Sequence, residues 1–516
     1  MNTVFICIWF RGVPSPPPRW SPPLPVSRRS LLAAASAAPV LGLAACFSEG
    51  SEGATASGRV RVAHMLPPRS GLSPLSDDAF KLSRWATAET LVVLDTDGNA
   101  LPWLAQDWIQ EGNTWTFTLR EDVVFHDGTA FTAEAVANSL AFAAQAAPKP
   151  RILDGVELTV EVAGSTVAVT TADTDPLLPH RLSSPQLSIL AAKAYRDGIV
   201  DPVGAGTGAF VLTSVDGTSS ASLDRNEDWW GGEVLAAGID ASFVPDGTAR
   251  AGKLRAGEAD IVEAIPVSQA GLLEPDQITE VPMPRTCTLY LNCSTGPFSD
   301  PGVRAAAREA IDAATIVEGV YDGRADLAEG LLGPAIPWAA ERAGRTRPAT
   351  AANTAGTTIT LGTFTDRAEL PEVAQVLQQQ LQEAGFAVEL DIREYANIEA
   401  DALDGAFDAF LLSRATVLDS GDPVAYMFSD FASDGSFNLS QFADDGVDAA
   451  LGTAAATQPG EDRRAAVLAA ETAILNADAA IPLLHERVIQ GDAASVSGSL
   501  KDPRERELVG PQTRLV

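Results

Sequence analysis

Residues 101–140 read LPWLAQDWIQEGNTWTFTLREDVVFHDGTAFTAEAVANSL, and the rest of the chain can be placed by its distance from them. Trp115, Phe117 and Leu119 alternate with Thr116 and Thr118, the period-2 pattern of a half-buried strand. Val123, Val124 and Phe125 form a second short apolar run. His126-Asp127-Gly128-Thr129 then reads as a turn, because Gly and Asp tolerate the backbone angles of a tight reversal. Thr132 is placed to cap the helix that follows, and Glu134 sits in its first turn, where the helix dipole favours a negative charge. Ala135, Val136, Leu140 and Phe142 supply an apolar stripe at helical spacing. His126 and Asp127 are read as turn residues that hold a fold, not as catalytic groups.

The 516 residues exceed what one hydrophobic core usually organises, so two or more lobes are expected. With 36 Lys+Arg against 68 Asp+Glu, the net charge is −32. Such a chain repels phosphate backbones and anionic membrane surfaces, which argues against a nucleic-acid partner. No nucleophile elbow, zinc motif or nucleotide loop occurs, so neither an enzyme nor a cofactor is expected. The four histidines, His64, His126, His180 and His485, are scattered, and no metal site is expected.

The N-terminus reads as an export signal. Residues 1–26 are Pro-rich and lack acids, and either precede the true start or form a long n-region. Ser27-Arg28-Arg29-Ser30-Leu31-Leu32 looks like a twin-arginine motif. Leu31 to Ala45 is apolar and Ala-rich but shorter than the roughly 20 residues a bilayer core needs. Leu43-Ala44-Ala45-Cys46 resembles a bacterial lipobox, whose cysteine thiol accepts a diacylglyceryl group. The polar run FSEGSEGATASG after Cys46 suits a flexible tether. Cleavage before Cys46 would remove four arginines and no acids, taking the charge from −32 to −36.

The block at residues 101–140 resembles the LAxxW…TFxLRxxVxFHDGxxFTAxDVxxSL block of solute-binding family 5, the extracytoplasmic receptors of peptide-type ABC transporters. Leu104, Ala105, Trp108, Phe117, Leu119, Arg120, Val123, Phe125 to Thr129, Phe131, Thr132, Ala133 and Glu134 match; Ala135 departs, where the family usually has an acid. Residues 202–232 are similar to the family's PVGTGPY…L.RNPDYWGG, with Pro202, Val203, Gly204, Gly206, Gly208, Arg225, Asn226, Asp228, Trp230, Gly231 and Gly232 in place. There the glycines are read as permitting a tight reversal. Trp229 and Trp230 are read as packing. Ala249 to Pro266 resembles "L..GE.D.....P", and residues 289–312 resemble "L.FN…PF.D..VR.A...AID".

The resemblance implies an α/β fold: two-lobed, periplasmic-binding-protein-like (class II/cluster C type), with an extra subdomain in the first lobe. Residues 1–46 are then the signal and 47–58 the tether. Residues 59–85, 190–285 and 480–516 form the core of lobe I. Residues 86–189 form its extra subdomain, and 286–479 form lobe II. Along the chain, Arg59 to Ala63 reads as a strand and Ala79 to Leu91 as a helix. Thr357 to Phe364 is a strand, Pro371 to Ala384 a helix, and Ala387 to Ile392 and Phe407 to Leu412 strands, the alternation of an α/β lobe. Asp478 to Val488 is the closing strand, and Arg285 to Asn292 a crossing between lobes. Cys287 on that stretch and Cys293 just past it share one probable strand, about 20 Å apart if it is straight. A disulfide needs Cα atoms within about 7 Å, so both are expected as buried thiols.

The ligand signal is Leu418 to Pro423, LDSGDP, where peptide-binding members carry "D.GDP" or "DYPDP". The resemblance gives Asp419 the role of pairing with the α-ammonium of a bound peptide. A desolvated carboxylate facing an ammonium makes a strong, charge-assisted hydrogen bond. Ala415, Thr416 and Val417 would lie beside the peptide backbone, and Tyr290 on the crossing is counted with them. Thr416 stands where members often have an aromatic residue, and Leu418 where a small one is common. The implied protein is a monomeric, lipid-anchored receptor that closes two hinged lobes on an oligopeptide or dipeptide and delivers it to an ABC permease with its ATPase subunits. A same-fold receptor for a nickel chelate, opine or oligosaccharide, or a surface scaffold or chaperone without a transport role, stays open.

Overall fold

A computed structural model describes residues 58–196, 198–346, 349–417 and 420–516. Two large hydrophobic cores stand out. One is built around Val60, Phe117, Phe210 and Ile239, and the other around Leu289, Phe298, Leu361 and Leu483. A single sheet runs through both. Its order is Phe210–Asp216, Ser220–Arg225, Gly238–Phe243, Arg59–His64, Ile261–Val262, Ala480–Asp492, Ile278–Leu291, Ala409–Ala415, Thr357–Phe364, Phe386–Arg393.

The two longest strands tie the cores together. Ile278–Leu291 and Ala480–Asp492 run antiparallel, with Ile278 opposite Gly491 near the first core and Tyr290 opposite Ala480 in the second. Their register breaks between Pro282 and Thr286. The cause is local, because Pro282 and Pro284 have no N–H to give to a ladder. The crossing is therefore least tightly paired where it passes from one lobe to the other.

The first lobe also carries an antiparallel sheet in the order Ala105–Glu111, Thr114–Leu119, Thr166–Thr171, Leu158–Ala163. Trp115, Phe117 and Leu119 point into the core while Thr118 is exposed, as the alternation predicts. In the HDGT turn Phe125 N–H donates to Thr129 O at 2.8 Å, with Gly128 at φ +84°. Asp127 Oδ1 accepts from the Thr129 amide at 3.0 Å and its hydroxyl at 2.6 Å, which is turn chemistry. Thr132 caps the helix Ala133–Gln145 by accepting from Ala135 N–H.

The two motif blocks touch each other. His126 N–H donates to Gly206 O at 2.8 Å, and its Nε2 lies 2.9 Å from Gly208 O. The glycines of residues 202–208 do more than permit a reversal. A Cβ on Gly206 or Gly208 would lie 1.9 Å from Thr87 O or 2.1 Å from Ala86 O, so these two admit a neighbouring backbone.

Three local expectations shift. The helix read over Ala79 to Leu91 ends at Arg84, because Trp85 turns into the core and Ala86 takes φ +47°. The strand read over Phe407 to Leu412 is Ala409–Ala415. The crossing strand ends at Leu291, so Cys293 lies past it and is partly exposed; Cys287 is buried, and both are free thiols. Among the described residues no helix is long and apolar enough to cross a membrane.

Candidate functional site

The register break at residues 282–286 faces the end of strand Ala409–Ala415. Ala415 pairs with Arg285, and Thr416 donates to Pro284 O from its amide at 2.8 Å and its hydroxyl at 3.2 Å. Thr416 and Val417 are buried, and Ala415 is partly exposed. Residues 409–415 pair with the crossing strand along their whole length, whereas on their other edge Thr357–Phe364 stays in register only at Ala409 and Phe410. Tyr290 sits deeper in the second core, 1% exposed, stacked on Phe431 at 5.8 Å and donating to Asp430 at 3.2 Å. Burial pushes its phenol well above the usual tyrosine range. Asp419 and Cys46 lie outside the described residues.

Charged side chains crowd this seam. Arg414 holds Asp430 with Nε at 3.0 Å and Nη2 at 2.9 Å, and lies 4.2 Å from the Phe437 ring centre. Arg367 reaches both oxygens of Glu486 at 2.6 Å. Burial alone would raise the Glu486 carboxyl, but Arg367 and Arg285 beside it hold it below its ordinary value. On the first-lobe side Arg84 binds Glu505 at 2.7 Å and also Glu263. Glu263 lies 3.1 Å from His64 Nδ1, while Trp85 Nε1–H donates to His64 Nε2 at 2.8 Å. The indole makes Nε2 the acceptor, so Nδ1 carries the proton and donates to Glu263. Arg285 differs from its neighbours. Its Nε is buried without a partner, and none of its other nitrogens bonds within the described residues. Burial, and then the nearby Arg367, lower its affinity for its proton.

The lobes also meet away from the crossing. The turn Asp95-Thr96-Asp97-Gly98 reaches the second lobe, where Trp338 Nε1–H donates to Asp97 O at 3.2 Å and Arg464 to Asn99 Oδ1 at 2.9 Å. Beside this contact lies a cavity of about 300 Å³ lined by Trp108, Trp115, Pro179, His180 and Pro459 among others.

The tryptophans of the second motif serve a cage in the first lobe. The carboxylate of Glu89, 8% exposed, accepts from Trp103 Nε1 at 3.0 Å, Trp229 Nε1 at 3.3 Å, Trp230 Nε1 at 2.9 Å and the Thr207 hydroxyl at 2.7 Å. Burial raises its pKa against these four hydrogen bonds. From the sequence this residue was assigned no role.

A family signature, "Bacterial extracellular solute-binding proteins, family 5 Middle", matches residues 99–438, more than half of the chain. The chain belongs to this family. It is 26% identical over 362 residues to the nickel-binding periplasmic protein of Escherichia coli (strain K12), covering 62% of this chain and 68% of that one. It is 30% identical over 305 residues to the glutathione-binding protein GsiB of Pectobacterium atrosepticum, covering 55% and 59% respectively. Its fold matches the crystal structure of a nickel ABC transporter protein from Bacillus halodurans with TM-score 0.76 at 24% identity, over 89% of this chain and 99% of that one. The family 5 solute-binding fold, mixed α/β and two-lobed, is thereby shared.

Proposed function

We propose that this family 5 receptor serves an ABC importer by holding an oligopeptide or dipeptide at the seam. The observation that supports this best is the outer edge of residues 412–415. Their strand is paired on one side by the crossing and has little strand partner on the other. An extended peptide can add there as a further strand, recognised through its backbone. Asp419, two residues beyond Val417, would pair with the peptide ammonium. Tyr290 would act from beneath, through Asp430 and Arg414, both of which it neighbours. The glutathione-binding relative is in keeping with a short peptide, while the nickel-binding relative favours a second reading, a chelated nickel solute in the same place.

The rest of the reading follows the chain. Residues 1–46 would be the signal, Cys46 the lipid anchor and 47–58 the tether. The core of lobe I would be 59–85, 190–285 and 480–516, with the subdomain at 86–189 and lobe II at 286–479. Closure of the lobes on the solute would present it to the permease. Calorimetry with a peptide panel tests the site: wild type binds, and Asp419→Ala binds at least tenfold more weakly, as loss of a charge-assisted hydrogen bond worth about 1.5–3 kcal/mol requires. Equal binding by the variant would remove Asp419 from the account. Cys46→Ser should leave the protein soluble after cell fractionation, and continued membrane retention would remove the anchor.

A further inference from the structure

At the seam, acids and arginines do not pair one to one. Arg414 is matched by Asp430 and Arg367 by Glu486. Arg84 takes two acids, Glu263 from the first-lobe sheet and Glu505 from the C-terminal segment. Among the described residues four arginines meet four acids, and this uneven sharing leaves Arg285 without one. Its Nε is buried and without a partner among the described residues. A buried donor left unpaired is unfavourable, and a charged one more so.

The position of this arginine gives the imbalance a use. Arg285 stands at the break in the crossing ladder, directly opposite Ala415 in register, one residue from the carbonyl that binds Thr416. It therefore adjoins the strand whose outer edge is open. We propose that Arg285 is the seat of an anionic group on the bound solute, a carboxylate in the first instance. The guanidinium fork matches a carboxylate in two parallel hydrogen bonds, which a lysine would not reproduce. Such a partner would supply the missing acceptor for Nε and bring a negative charge between Arg285, Arg367 and Arg414. The solute class is then a carboxylate-bearing molecule, and for a peptide the group is its free C-terminus or an acidic side chain. This rests on the seam being the solute site.

The experiment is calorimetry on the full mature chain with three probes. They are a pool of neutral-side-chain tripeptides with free C-termini, the same pool amidated, and succinate. Wild type should bind the free-acid pool at least tenfold more tightly than the amidated one, the size expected for a charged hydrogen-bonded pair. Arg285→Gln should lose that preference by weakening the free-acid pool alone, and Arg285→Lys should keep only part of it. If peptides fail but succinate binds wild type and not Arg285→Gln, the peptide reading falls and the anion seat stands. Equal binding of the acid and amide pools by wild type overturns the anion seat whatever the variants do. So does unchanged binding of the free-acid pool by Arg285→Gln, or binding of none of the three probes by wild type. The acid–amide comparison needs no variant, so a folding defect in Arg285→Gln leaves the test intact.

Discussion

The Glu89 cage and the Arg285 seam each bury polar atoms of a charged side chain, and they resolve them in opposite ways. Around Glu89 four donors from three segments converge on two oxygens. Around Arg285 the nearby acids among the described residues are already held by other arginines. A satisfied buried charge rigidifies the lobe that contains it, whereas an unsatisfied one at a crossing between lobes marks a place where something else belongs. That is why the two indoles read as packing in the sequence are structural, and an arginine that drew no notice is a candidate contact.

The comparison can be broken most forcefully at the cage. Glu89→Ala leaves three indole N–H groups and a buried hydroxyl without their acceptor, and should cost about 4 kcal/mol in chemical denaturation. A loss under about 1 kcal/mol would mean the cage is not holding the lobe. Next comes the contrast between arginines. Arg414→Met leaves Asp430, which is fully buried, without its cation and should cost roughly 3–5 kcal/mol. Arg285→Met breaks no existing pair and should change stability by less than about 1 kcal/mol. Similar losses for both would erase the distinction.

A smaller effect concerns pH. Burial, reinforced by Arg342, pushes the His485 imidazole down to about 4 from its ordinary value of 6.5. The folded protein then binds fewer protons than the unfolded chain between those values. Stability is full above about pH 6.5, falls as the pH drops towards 4, and levels off there. At about 1.4 kcal/mol per unit the penalty approaches about 3.5 kcal/mol. Urea titrations of wild type and His485→Gln across this range should converge at low pH, and parallel curves would exclude His485 as the source.

What the sequence disclosed was local. The strand at 114–119, the HDGT turn and the Thr132 cap depend on neighbouring residues, and each formed where periodicity and turn chemistry put it. The helix after Ala79 was overread because nothing in SRWATAE shows that Trp85 must turn inward. The strand at 409–415 was displaced because Ser413, Arg414 and Ala415 are held by pairing with residues 285–287, not by apolar alternation. Glu89 was illegible, because its four donors come from residues 14 to 141 positions away. Arg285 was illegible, since its isolation depends on Glu505, far downstream, turning to Arg84 instead.

Hydrogen exchange read by mass spectrometry tests the central claim most directly. On adding the free-acid tripeptide pool to the mature protein, amides in residues 411–417 and along the crossing at 282–286 should slow, while the antiparallel sheet at 105–171 keeps its rates. Slowing confined to that sheet, or to the cavity beside Trp108 and His180, would place the solute elsewhere and contradict the account.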